Sequence, residues 1–205
     1  MAQVVFKGDL NVKYIGQTIE ACKTQEAPEV YYKADNEKLY TVLMIDPDAP
    51  TRASPKAKNW LHWVVCNIPG SQLSCGETCV TYSALLKLFG IFLKKFEKKK
   101  IEKKNHLTQN SRTFHVGVGA PEKTGAHRYV VLVFEQPESI LWPRYDWLQK
   151  TTENRANWKV EDFMKKFNFT KLAAGACFRS EFDESVPKLY AEMKHNYEIM
   201  PRKVI

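Results

Sequence analysis

Apolar and polar positions along the chain change over in short blocks, with few stretches at helical spacing. Leu10-Asn11-Val12-Lys13-Tyr14 and Glu29-Val30-Tyr31-Tyr32 alternate like half-buried strands, and residues 38–45 are more continuously apolar, as a central strand would be. Residues 60–67 and 127–136 complete a strand-dominated core. Outside residues 83–115 only two helices are signalled. Val160, Phe163, Met164 and Phe167 follow i, i+3, i+4, i+7, and Pro187 stands where a first helical turn accepts it, ahead of Leu189, Tyr190 and Met193. Antiparallel strands with few helices predict a mainly β, β-sandwich-like single domain over residues 1–205, without repeats or a domain linker.

Two segments interrupt this pattern and carry chemistry. Asp46-Pro47-Asp48-Ala49-Pro50-Thr51-Arg52 follows the apolar run, and its prolines cannot donate to a sheet ladder, so the strand must end there and two carboxylates are set on a rigid turn. Gly117-Val118-Gly119-Ala120-Pro121 runs on to Gly125-Ala126-His127-Arg128-Tyr129. Its glycines let the backbone approach a ligand, and in the strand that follows His127 and Tyr129 share one face while Arg128 points the other way. Together the two segments read as one anion site. Each residue also has a plainer role open to it: Asp46 and Asp48 can fix turns by accepting backbone hydrogen bonds, and His62 can be a core histidine.

These segments, together with Asn59-Trp60-Leu61-His62-Trp63-Val64-Val65-Cys66-Asn67-Ile68-Pro69-Gly70, resemble the phosphatidylethanolamine-binding protein family, also known through Raf kinase inhibitor proteins. Ala174-Gly175-Ala176-Cys177-Phe178 and Val186-Pro187-Lys188-Leu189-Tyr190 resemble its late strand and closing helix. The resemblance implies a large and a small sheet, with helices peripheral and at the C-terminal end. It further implies that Asp46, Asp48, Pro50, His62, Gly117, Gly119, Ala120, Pro121, His127, Tyr129 and Tyr190 line one small cavity. Histidine N–H groups, the Tyr129 hydroxyl and backbone N–H groups near Gly119 and Ala120 would donate to phosphate oxygens, while Asp46 and Asp48 would orient and charge the histidines or hold an ammonium. Ala120 stands where the family usually has a second proline. Arg52 is expected to brace the Asp-Pro turn through a bidentate carboxylate pair or to touch ligand.

The function expected on these grounds is non-enzymatic binding of a phospholipid headgroup or phosphate-like anion, needing neither cofactor nor metal, and modulation of a protein kinase or serine protease. Binding is expected to weaken as pH rises through neutrality, because a neighbouring carboxylate favours the protonated histidine. The rival reading is a hydrolase or metal enzyme using Asp46, Asp48, His62 and His127.

Composition alters this picture at one place. The 205 residues carry +8. Within residues 83–115, eight lysines and Arg112 face only Glu97 and Glu102, so that segment holds +7 of the charge, and a general nucleic-acid partner is not expected. Removing the segment would join Tyr82 to Val116 in a family-like pattern. Leu85, Leu88, Phe89, Phe92, Leu93 and Phe96 recur at helical spacing, which suits a basic amphipathic helix for a membrane surface or an acidic partner. A tolerated surface insertion is the plainer account. An intron translated in frame is the third, since Leu, Lys, Asn, Ile and Phe, all encodable by AT-rich codons, make up 21 of the 33 residues. No secretory signal or membrane span is visible, and five cysteines without metal-ligand spacing suit free thiols in the cytoplasm.

Overall fold

The computed structural model describes residues 1–6, 10–12, 17–80, 82, 118–141, 155–188 and 191. Three strands, β1 (Gln3–Phe6), β2 (Leu10–Val12) and β3 (Glu29–Tyr31), form a small antiparallel sheet with β1 in the middle. The large sheet is built from β4 (Leu39–Asp46), β5 (Trp60–Pro69), β6 (Glu77–Val80), β7 (His127–Gln136) and β8 (Lys171–Ser180). Its order is β6-β5-β4-β7-β8, antiparallel throughout, so the apolar run at residues 38–45 becomes the central strand.

Both faces of the large sheet are covered, which is why β4 reads as continuously apolar and does not alternate. On one face Tyr40, Val42 and Met44 pack with Trp63, Val65, Val131 and Val133 beneath Val4 and Val30 of the small sheet. On the other, Leu43 and Ile45 join Leu61, Val64 and Phe134 against Phe163 and Phe169. Phe163 comes from α1 (Val160–Lys166), the helix that the i, i+3, i+4, i+7 spacing predicts. Its charges suit the helix dipole, with Glu161 and Asp162 in the first turn and Lys165 and Lys166 in the last. Residues 186–188 begin the helical turn expected around Pro187.

The basic segment, residues 83–115, lies outside the described residues, but its flanks do not. Tyr82 and Val118 are fully buried and meet at Thr24. The Tyr82 hydroxyl donates to the Thr24 carbonyl at 3.0 Å, and the Thr24 hydroxyl is shared between the Ala21 carbonyl at 2.8 Å and the Val118 carbonyl at 3.0 Å. The two flanks are therefore neighbours, as the expected rejoining of Tyr82 and Val116 requires, although they sit in the core and not on the surface. All five cysteines are free thiols, Cys22 and Cys75 exposed, Cys66, Cys79 and Cys177 buried. Among the described residues no helix is long and apolar enough to cross a membrane.

Candidate functional site

β4 ends at Asp46, and its carboxylate does two things at once. Oδ1 accepts the Asp48 backbone N–H at 2.7 Å, closing the Asp-Pro turn, while Oδ2 lies 2.7 Å from His127 Nδ1 at the start of β7. The turn-fixing role and the histidine-pairing role thus hold together. On the far side of the ring, His127 Nε2 is 3.0 Å from Thr124 Oγ1, whose own proton goes to the Pro121 carbonyl at 2.7 Å. With that proton directed at Pro121, the Thr124 oxygen is free to accept from an Nε2–H, and Nδ1 faces the Asp46 carboxylate. Asp46 and His127 are both fully buried. Burial raises the Asp46 carboxyl above its ordinary value, against the opposing pull of His127 and the Asp48 N–H.

Asp48 is placed differently. Its carboxylate takes the Arg128 backbone N–H at 2.8 Å, Nε at 2.9 Å and Nη2 at 2.7 Å, the last two as a bidentate fork. Burial would raise this carboxyl, but the hydrogen bonds and charge of Arg128 win and hold it below the usual carboxylate range. The bracing arginine is therefore Arg128, which projects from β7 on the side opposite His127. Arg52, expected in that role, is exposed and adds only a more distant charge to Asp48. Both oxygens of Asp48 are engaged away from the histidines, so the pairing expected of the two carboxylates falls to Asp46 alone.

His62 reaches the site through an irregularity. Met44 pairs with Trp63 but Ile45 with Leu61, so His62 is the extra residue of a β-bulge. Strict alternation would send His62 to the face opposite Trp63, into the core under α1. The bulge instead brings its ring to Tyr129, edge-on with centroids 5.3 Å apart. Tyr129 in turn stacks near His127 at 6.5 Å and on Phe178 at 5.2 Å, so one tyrosine separates and aligns the two histidines. Arg155 braces the bulge. Its carbonyl accepts the Leu61 N–H at 2.8 Å, and Nη1 donates to the Leu61 and His62 carbonyls at 3.1 and 3.0 Å. This arginine is fully buried, and loss of water alone pulls its pKa down to about 9.

The structure thus gathers Asp46, His62, His127 and Tyr129. Gly119, Ala120 and Pro121 are buried in the loop entering the Thr124 turn, and Pro50, after a cis Ala49–Pro50 bond, is half-buried. Gly117 and Tyr190 lie outside the described residues. Thr124, Arg128 and Arg155 were not foreseen in these roles. Only Arg128 carried a signal, its alternation away from His127 toward the turn. Among the described residues no three His, Cys, Asp or Glu side chains gather as a metal site would need.

A family model described as phosphatidylethanolamine-binding protein matches residues 8–178. The chain belongs to the phosphatidylethanolamine-binding protein family. A Drosophila melanogaster relative, putative odorant-binding protein A5, is 28% identical over 174 residues, covering 85% of this chain and 67% of its own length. The solution structure of CG7054 is similar at 26% identity and a TM-score of 0.62, covering 94% of this chain and 90% of that one. A carboxypeptidase Y inhibitor, solved with its cognate proteinase, shares the fold at 20% identity and a TM-score of 0.61, over 89% of this chain and 83% of the inhibitor. The phosphatidylethanolamine-binding protein match takes in Asp46, Asp48, His62, His127 and Tyr129, and stops two residues before the end of β8.

Proposed function

We propose that this family member binds phosphate-bearing headgroups without turning them over, and that it regulates a protein kinase pathway or a serine protease in the cytoplasm. The observation that carries the reading is the buried Asp46–His127 pair at 2.7 Å. With Nδ1 turned to the carboxylate, Nε2 is the ring nitrogen left for a ligand, and a donor there is what a phosphate oxygen needs. His62 and Tyr129 beside it, with the Gly119–Ala120 backbone in the adjoining loop, supply the further donors of a small anion site. The likeness to a carboxypeptidase Y inhibitor supports the regulatory half of the reading through shared fold. Residues 83–115 add a cationic segment suited to an anionic membrane surface.

The test is calorimetric titration with inorganic phosphate and phosphoethanolamine, with the ring resonances of His62 and His127 followed by NMR. Both ligands should compete for one site and shift the ring resonances of both histidines. A folded His127→Ala protein that binds as well as the parent would remove the site.

One contact favours a second reading. Asp46, His127 and Thr124 follow the order of a carboxylate, a base and a hydroxyl nucleophile. Against it, the Thr124 proton is held by the Pro121 carbonyl and not aimed at Nε2. Turnover of p-nitrophenyl acetate or p-nitrophenyl phosphate that disappears in Thr124→Val would decide for the enzyme.

A further inference from the structure

β8 ends at Ser180, which stands directly opposite His127 in the antiparallel register. Residues paired in this way project from the same face, with Cβ atoms about 4.5–5.5 Å apart. Ser180 is therefore on the face of His127 and Tyr129, immediately beside the Asp46–His127 pair. Its side chain is fully buried and its hydroxyl has no hydrogen-bond partner. The polar side chains around His127 pair with one another and with the backbone, Asp46 with the Asp48 N–H and His127, Thr124 with the Pro121 carbonyl, and none of them reaches the Ser180 hydroxyl.

Packing gives no reason for a hydroxyl here. The other inward positions of β8 are Ala174, Ala176 and Phe178, all part of the apolar core beneath the small sheet. An alanine at 180 would continue that series and spare the fold a buried polar atom without a partner, a state that costs as much as a lost hydrogen bond. The one polar side chain on this face of β8 is thus the one that faces His127.

We infer that Ser180 is a further ligand-binding residue of the anion site, its hydroxyl donating to an anionic phosphate oxygen that His127 also holds. The inference rests on the headgroup reading above and adds a residue to it. A hydroxyl can equally accept from an ammonium, so the experiment separates the two halves of a zwitterionic headgroup. Ser180→Ala, size-matched Ser180→Cys and His127→Ala are titrated with inorganic phosphate and with phosphoethanolamine, and their melting temperatures are recorded.

Both Ser180 variants should lose about tenfold in affinity for both ligands, the cost of one charge-assisted hydrogen bond. Ser180→Ala should melt at or above the parent's temperature. Loss confined to phosphoethanolamine would overturn the inference by showing that Ser180 meets the ammonium. Unchanged affinity in both Ser180 variants, with binding abolished in His127→Ala, would overturn it while leaving the headgroup reading intact. A parent protein that binds neither ligand at millimolar concentration would bring down the headgroup reading itself.

Discussion

Asp46 and Asp48 leave the same turn two residues apart, both buried, and their surroundings drive them in opposite directions. Asp48 meets a guanidinium fork that outweighs its burial and holds it below the usual carboxylate range; for Asp46 burial outweighs the imidazole it meets and pushes it above that range. The difference lies in the partner strand. Successive residues of β7 point to opposite faces, so Arg128 clamps one side of the turn while His127 enters the other. One carboxylate serves the fold and its neighbour serves the site, and a single strand supplies both partners.

Removing the clamp should have the largest effect. Asp48→Ala leaves Arg128 without its acceptors, and breaking such a pair costs about 3 kcal/mol, the lower end for buried pairs because the Arg128 side chain stays partly in water. Urea denaturation measures this. Asp46→Asn keeps the shape of the turn and should change stability by less than about 1.5 kcal/mol, while phosphate affinity falls roughly tenfold as His127 loses its charge partner. If Asp46→Asn were the more destabilising of the two, the division of labour would be reversed.

Acid should separate the carboxylates further. Asp48 is depressed in the folded protein, so its contribution is fully present above its unfolded pKa of about 3.9 and is lost as pH falls through the lower folded value. Asp46 is raised, so the opposite sign applies: stability falls as pH climbs from about 3.9 to its higher folded value, where the unfolded chain has already released the proton. Denaturation midpoints between about pH 3 and 6 should therefore show a smaller low-pH drop in Asp48→Asn, Asp183 and Glu135 still contributing theirs, and a smaller drop above about pH 4 in Asp46→Asn.

A smaller effect is expected at Thr124. Its hydroxyl accepts from His127 Nε2, the position a phosphate oxygen would take, so Thr124→Ala should raise phosphate affinity roughly fivefold by removing a competing hydrogen bond. A decrease would place the hydroxyl on the ligand's side. The smallest effect should come from deleting residues 83–115. Thr24 already holds their flanks together, and loop length enters stability only as about 0.6 kcal/mol per doubling. Headgroup binding should not change, and a deletion protein that is unfolded would make the segment part of the domain.

Much of this architecture was legible where pattern and structure share a period. β4, β5, β7 and α1 follow directly from apolar runs, alternation and i, i+3, i+4, i+7 spacing, and the placement of His127 and Tyr129 on one face follows from alternation alone. His62 shows the limit. A bulge shifts parity by one residue, and no residue type around Leu61-His62-Trp63 announces it, because its causes are elsewhere: Arg155, nearly a hundred residues away in the chain, supplies the partners for the carbonyls at the bulge. The bracing role open to Arg52 falls to Arg128 for a related reason. Proximity in sequence favoured Arg52, but the fork reaching Asp48 comes across the sheet from the neighbouring strand.

The clasp at Thr24 has a mechanical consequence. One fully buried threonine ties Tyr82 to Val118 through its own carbonyl and hydroxyl, and Val118 leads directly into Gly119–Ala120–Pro121. The chain is thus anchored in the core at Thr24 on either side of the intervening stretch, ahead of the anion loop. A segment grafted between Tyr82 and Val118 is therefore expected to leave the surroundings of the two histidines as they are.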